Sequence, residues 1–323
     1  MIFFLSLLMK ITKKSNHFHN LIPMNQLKLI IQNEFFTEIK SKGFWIGTFL
    51  VPIIIIVVGG ILGFLMSEAD TFTSTVEKLP TQPDASEMSD QQVIGMIAGT
   101  CLFFFIMTYG AMIFNKVKTE KCNRIMEILA TCVDGKTMML AKILSVGLIG
   151  LVQLIAWGIL IFVGIIVFFL IFQFAVPTEF FANPETYLML LWILLYFVGG
   201  YILFGSLYAA CGAITDKDNE NQIYMTVITF ILLGAFYLGQ YAVDKGSSAL
   251  GIACTYIPFT SPIVGTVNAV TETTGIWETL LSIAILYICS FFSIAIAGKL
   301  YRSSMLLKGK NFSPKDIITF IKS

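Results

Sequence analysis

The stretch YLMLLWILLYFVGGYILFGSLYAACGAI, residues Tyr187–Ile214, contains no charged side chain. About 20 apolar residues in a helix are enough to cross the ~30 Å hydrocarbon core of a bilayer. The stretch therefore predicts a membrane-spanning helix, and comparable runs elsewhere would make the chain a multi-pass membrane protein.

Such runs do recur along the chain. Of the 323 residues, 56% are hydrophobic and 13% are charged, against about 25% charged in an ordinary soluble domain. The other apolar runs are Phe44–Met66, Val93–Phe114, Met138–Val176, Ile223–Tyr241 and Ile276–Lys299. We therefore predict an all-α integral membrane protein with six transmembrane helices in residues 44–299. The run 138–176 is too long for one perpendicular span, so we expect a tilted helix that extends beyond the membrane, or a span followed by an interfacial segment.

Basic residues predict the orientation. If the N-terminus is inside, 19 of the 21 lysines and arginines fall in inner segments, and only Lys78 and Lys245 fall outside. Loops on the cytoplasmic side carry such an excess. We expect both termini to be cytoplasmic and the protein to lie in the plasma membrane, the inner membrane of a bacterium. The predicted outer loop, residues 67–92, is short and acidic.

The two ends of the chain are expected to lie outside the spans. Residues 1–23 place their lysines after an apolar run, the reverse of a signal peptide. We interpret them as an upstream extension without ordered structure and Met24 as the natural start. Residues 24–43 alternate apolar and polar positions at helical spacing, which predicts an interfacial amphipathic helix. Residues 300–323 are the predicted cytoplasmic tail.

Residues 247–270 are apolar but are broken by Pro258 and Pro262. A lipid-exposed break in a helix would leave backbone groups without hydrogen bonds. We therefore predict an outer re-entrant helical hairpin packed against protein. A wholly external loop is the alternative.

The inner segment 115–137 carries closely spaced charges. Helical spacing places four of them on one stripe: Lys116, Glu120, Arg124 and Glu127. Four apolar residues flank this stripe: Ile125, Met126, Ile128 and Leu129. This pattern suits a short helix that docks into a groove on a soluble partner, and a merely solvated helix face is the alternative.

The chain has no sign of chemistry of its own. It has no G-x-x-x-x-G-K-[ST] phosphate loop, and its two histidines lack cysteine partners at metal-ligand spacing. A net charge of +1 gives no reason to expect nucleic acid. Ion-coupled carriers bury carboxylates or histidines along their path, and few of the predicted spans carry an ionisable group at depth. We expect no enzyme activity, no metal and no cofactor, so energy must come from a partner. A stand-alone secondary transporter and a non-transporting interaction protein of the same fold remain the alternatives.

Four segments together resemble a known family. Residues 120–129, EKCNRIMEIL, are similar to the coupling helix of type-2 ATP-binding-cassette (ABC) exporter permeases, especially the sodium-efflux-permease-like branch. Residues 42–52, 258–262 and 301–315 resemble the junction before the first span, the outer re-entrant segment and the cytoplasmic tail of that family. The resemblance covers nearly all of residues 24–323.

The resemblance implies the function and the partners. The chain would be a permease subunit that exports an unidentified substrate, and cytoplasmic ABC ATPase subunits would bind the ATP and Mg. A second copy or a related permease would complete a homo- or heterodimer in the lipid bilayer. The implied ATPase-coupling residues are Lys116, Glu120, Lys121, Asn123, Arg124, Met126, Glu127, Ile128 and Leu129. The implied secondary cytoplasmic contact comprises Asp216, Lys217, Asp218 and Glu220, and the re-entrant segment is marked by Pro258, Ser261 and Pro262.

Overall fold

The computed structural model describes residues 24–50, 52–53, 89–122, 135–172, 184–215, 223–245 and 247–306. These residues form helices and turns, and no strand occurs among them. In chain order the helices are α1 (Met24–Ile39), α2 (Asp90–Cys122), α3 (Gly135–Phe172), α4 (Pro184–Ile214), α5 (Ile223–Lys245), α6 (Ala249–Tyr256), α7 (Ser261–Val270) and α8 (Ile276–Leu306). Residues 42–50 are also helical.

Five of these helices, α2, α3, α4, α5 and α8, are long and apolar enough to cross a membrane. They confirm the all-helical prediction and match five of the six predicted spans. The remaining predicted span, 44–66, lies mostly outside the described residues. The predicted extension 1–23 and the tail beyond residue 306 lie outside them as well.

Several boundaries differ from the prediction. Helix α2 continues to Cys122, eight residues beyond the predicted end of its span, because Val117 is buried and Lys116 and Glu120 form ion pairs with α1 and α3. Helix α3 is a single helix of 38 residues, about 57 Å long and so longer than the hydrocarbon core is thick. Helix α1 ends at Ile39 rather than at residue 43, since a turn at residues 40–41 precedes the next helix.

The five long helices alternate in direction. Gly110 faces Tyr208 and Gly212 faces Phe114, so α2 and α4 are parallel. Gly147 faces Tyr201 and Gly205 faces Ile143, so α3 runs opposite to α4. We call the end where α2 finishes and α3 begins the lower end of the bundle, and the opposite end the upper end.

Helices α6 and α7 lie at the upper end, between the end of α5 and the start of α8. All ten residues of α7 are buried, against α2, α4, α5 and α8. Ser282 of α8 donates a hydrogen bond of 2.6 Å to the carbonyl oxygen of Thr255, and its hydroxyl lies 2.8 Å from that of Ser261. The buried Asn268 side chain donates to Thr255 Oγ1 at 2.8 Å. Polar contacts therefore hold the two short helices to each other and to the bundle.

Candidate functional site

Helix α1 packs across the lower end of α3 through one apolar face. Ile31 and Phe35 are buried, whereas Leu29 and Phe36 on the other side remain exposed. Phe35 belongs to the same apolar cluster as Val117 of α2 and Met139 of α3. This packing brings the polar edge of α1 against the lower ends of α2 and α3.

Lys142 of α3 lies at the centre of this contact. Its side chain is only 1% exposed, and its Nζ lies 2.9 Å from Oε1 of Glu34 in α1. The same ammonium group donates to Oε1 of Glu120 in α2. Ser145, one turn further along α3, donates to Oε2 of Glu34 at 2.9 Å. A buried lysine needs such partners, because an isolated ammonium in an apolar interior loses its hydration without replacement.

A second ammonium joins α1 to α2. Lys116 Nζ lies 3.0 Å from Oε2 of Glu38 and 3.9 Å from Oε2 of Glu34. We call Glu34, Glu38, Lys116, Glu120 and Lys142 the charged cluster. It connects three helices that are far apart in sequence.

The charged cluster joins the two ends of the segment that connects α2 to α3. Residues 123–134 connect α2 to α3 and lie outside the described residues, but the residues on either side of them are joined by the Glu120–Lys142 pair. Both sides are also joined to α1 through Glu34, which binds Lys142 of α3 and lies 3.9 Å from Lys116 of α2. Removing one member of a buried ion pair costs about 3–5 kcal/mol, because its partner stays buried and charged. The three helices are therefore expected to move together at this end.

The structure separates the predicted coupling residues into two groups. Lys116, Glu120 and Lys121 belong to α2, and the first two bind side chains of α1 and α3. Asn123, Arg124, Met126, Glu127, Ile128 and Leu129 lie outside the described residues, as do Asp216, Lys217, Asp218 and Glu220. The helical spacing of Lys116 and Glu120 placed both on one stripe, but spacing alone does not indicate which neighbour that stripe faces.

Three residues of the cluster were missed by sequence reasoning. Glu34 and Glu38 fall in the predicted interfacial helix 24–43 and Lys142 in the predicted span 138–176, but none of the three was singled out as a site residue. A lysine eight residues inside an apolar helix was the available signal, since such a group requires a carboxylate partner.

The three residues of the predicted re-entrant segment lie at the junction of α6 and α7. Pro258 lies in the turn between α6 and α7, Ser261 begins α7, and Pro262 occupies its first turn. Proline suits that position because the first turn of a helix leaves its N–H groups unpaired. A methyl group on Gly200 of α4 would lie 2.5 Å from Cβ of Pro262, so α7 packs directly on the α4 backbone.

A bundle of five membrane-length apolar helices defines a multi-pass helical membrane protein. Residues 65–299, well over half of the chain, match the family described as ABC-2 family transporter protein. The chain therefore belongs to the ABC-2 transporter family, whose members are membrane components of ABC transporters.

Two curated relatives are similar to this chain over about two thirds of its length. The uncharacterized protein YhaP of Bacillus subtilis (strain 168) is 24% identical over 224 residues, which cover 67% of this chain and 52% of the relative. The uncharacterized protein MJ1024 of Methanocaldococcus jannaschii is 25% identical over 221 residues, which cover 68% and 51%. The chain thus spans about half the length of these relatives. No solved structure matches it significantly.

Proposed function

We propose that this chain is the permease subunit of an ATP-driven exporter whose ATP is hydrolysed by a separate cytoplasmic ATPase. The proposal rests on the family and on one observation, the charged cluster at the lower end of the bundle. In this proposal the lower end faces the cytoplasm, both termini are cytoplasmic, and the protein lies in the plasma membrane. The strong bias of lysine and arginine toward that end supports this orientation.

The charged cluster connects the proposed ATPase-binding segment to α1, α2 and α3. An ATPase that grips residues 123–129 would pull on the end of α2 and the start of α3 together, because Glu120 and Lys142 join them. The pull would also reach α1, because Glu34 binds Lys142. Helix α1 leads through residues 42–50 into the predicted first span. One displacement on the cytoplasmic side would thus move three helices.

The proposal also assigns a role to each of the other predicted site residues. Arg124 and Glu127 are the proposed ATPase-docking side chains, while Lys116 and Glu120 act as positioning residues inside the permease. Residues 216–220 form the proposed secondary contact. Helices α6 and α7 are the proposed outer re-entrant hairpin, which changes its packing against α4 and α8 during transport.

A second permease, identical or related, completes the proposed transporter. Alternating access requires two packed arrangements of similar energy that a partner can bias. The similarity of residues 120–129 to the sodium-efflux-permease-like branch remains a prediction, and the substrate of that branch is not assigned to this chain.

Co-purification and an energetics assay test the proposal. The chain should be isolated from its native membrane with a soluble protein that bears a phosphate-binding loop. Transport should stop when ATP is depleted while ion gradients are held constant. Transport that persists without ATP but collapses with an ion gradient would show a secondary transporter instead.

A further inference from the structure

Helix α1 turns both of its carboxylates toward the bundle. Glu34 pairs with Lys142 of α3, and Glu38 pairs with Lys116 of α2. Glu120 is the remaining carboxylate among the described residues at the lower end, and it also pairs with Lys142. The ion pairs of the charged cluster therefore account for every described carboxylate side chain at this end.

The lysines of the same segment lie on the outside. Lys28 of α1, Lys40 in the turn after α1 and Lys42 at the start of the next helix are all exposed. Among the residues that the structure describes, none of the three forms an ion pair. Lys118 and Lys121 of α2 add further positive charge to the same end. The segment thus presents only positive charge on its outer side, although it holds two glutamates as well as three lysines.

Apolar side chains lie on the same outer side of α1. Leu29 and Phe36 are 64% and 55% exposed, whereas Ile31 and Phe35 face the bundle and are buried. Leu29, Phe36 and Lys40 are separated by seven and four residues, a spacing that keeps them on one side of a helix. The outer face of α1 therefore combines exposed apolar side chains with lysines.

An aromatic residue just after α1 indicates how deep this helix lies. A turn, in which the Ser41 hydroxyl accepts a hydrogen bond of 3.2 Å from the N–H of Phe44, joins α1 to the helix of residues 42–50. Trp45 in the first turn of that helix is exposed and stacks on Phe49. Exposed tryptophans are typical of the headgroup region at the boundary of a bilayer. Helix α1, one turn away, therefore lies against the headgroups.

We propose that the outer face of α1 is a binding surface for the anionic phospholipids of the adjoining leaflet. Their phosphate groups contact the ammonium groups of Lys28, Lys40 and Lys42, while Leu29 and Phe36 enter the boundary of the acyl chains. Basic amphipathic helices bind anionic bilayers through this combination of charge and apolar area. Each lysine near such a surface raises the affinity about fivefold. The binding requires neither an ATPase nor ATP, so its failure and that of the proposed function are distinguishable.

The charged cluster extends the effect of the lipid into the bundle. It joins α1 to α2 through Glu38 and to α3 through Glu34, so a lipid that holds α1 in place also holds the lower ends of both long helices. A ligand that binds only the folded state raises its stability. Anionic lipid should therefore raise the unfolding midpoint of the chain.

A photo-crosslinking residue at the exposed position of Gln32, on α1 between Leu29 and Phe36, tests the inference with the purified full chain in nanodiscs. In nanodiscs with equal amounts of phosphatidylcholine and phosphatidylglycerol, the crosslinked lipid should be enriched at least fivefold in phosphatidylglycerol. The same crosslinker at Phe230, a 67% exposed position in the lower half of α5, should capture both lipids without preference. Salt at about 1 M should reduce the enrichment, because it shortens the Debye length to about 3 Å.

A triple variant tests the charge. Lys28→Gln, Lys40→Gln and Lys42→Gln in one chain should lower the enrichment at position 32 to twofold or less. The unfolding midpoint of this variant should no longer rise when phosphatidylglycerol replaces phosphatidylcholine. Its midpoint in phosphatidylcholine alone, expected to equal that of the wild type because all three lysines are exposed, checks that it folds. Lys299→Gln, which removes an exposed lysine from the lower end of α8, is the matched control and should retain the full enrichment.

Three results would overturn the inference. One is capture of both lipids without preference at position 32 of the wild type, and another is full enrichment in the triple variant. The third is capture of an ATPase or of another segment of this chain in place of lipid, which would show that the outer face of α1 is covered by protein. Selective capture of phosphatidylglycerol by a chain that has no ATPase partner would instead refute the proposed function alone.

Discussion

The ammonium nitrogen of Lys142 lies 2.9 Å from a carboxylate oxygen of Glu34, a residue 108 positions earlier in the chain. This ion pair fastens the interfacial helix α1 to the base of α3. Because Lys142 also binds Glu120, a single ammonium group joins three helices.

Replacing Lys142 by methionine should destabilise the protein more than any other single lysine replacement in the described spans. Methionine preserves the apolar stem but leaves Glu34 and Glu120 without their ammonium partner, at a cost of about 3–5 kcal/mol. Thermal unfolding in detergent should show a clearly lower midpoint. Lys299→Met, on an exposed position of α8, is the matched control, and equal midpoints for the two variants would contradict the role of Lys142.

Reversing the charge of Lys116 or of Glu38 alone should lower stability and transport. Exchanging the two charges in one double variant should restore both. Lys116→Glu alone leaves the charged cluster with four carboxylates and one ammonium group, and Glu38→Lys alone places two ammonium groups opposite each other across a 3.0 Å contact. The double variant re-forms the pair with opposite polarity. Unfolding midpoints and substrate transport by the four proteins form a double-mutant cycle. A double variant no better than its worse parent would show that this pair does not link α1 to α2.

The close contact of α2 and α4 depends on Gly212. A methyl group there would lie 2.7 Å from the carbonyl oxygen of Phe114, and backbone cannot yield as a side-chain tip can. Gly212→Ala should therefore cost about 1–3 kcal/mol of stability. Gly234→Ala on α5 enters open space and should be neutral or slightly stabilising, since alanine favours helix by about 1 kcal/mol over glycine. The prediction fails if the two variants unfold at the same temperature.

Pro262→Ala should impair export while leaving ATPase binding intact. The proline lies in the first turn of α7 and packs on Gly200 of α4, 14 residues before α4 ends at Ile214 at the lower end. Pro258→Ala, in the preceding turn, should have the same effect in smaller degree. Ser247→Ala, at an exposed position just before α6, is the control. An export assay measures transport, and pull-down of the ATPase measures binding. Normal export by both proline variants would show that α6 and α7 have no role in the mechanism.

The long helices could be predicted because lipid demands an uninterrupted apolar run, which is a local property of sequence. The prolines at 258 and 262 likewise marked the turn that separates α6 from α7. The charged cluster could not be predicted in the same way. Glu34 and Lys142 meet only after α1 has packed on α3, and the buried faces of Ile31 and Phe35 decide that packing. Lys116 and Glu120 lie one turn apart on α2, and their partners come from α1 and α3.

The central claim is that force from a separate ATPase enters through the segment that joins α2 to α3. A photo-crosslinking residue placed at position 127, in membranes from cells that actively transport, tests it most directly. The account predicts that this position captures a soluble chain bearing a phosphate-binding loop, and that a crosslinker at position 84 captures none. Labelling of position 127 by a membrane-impermeant reagent from outside the cell would contradict the account.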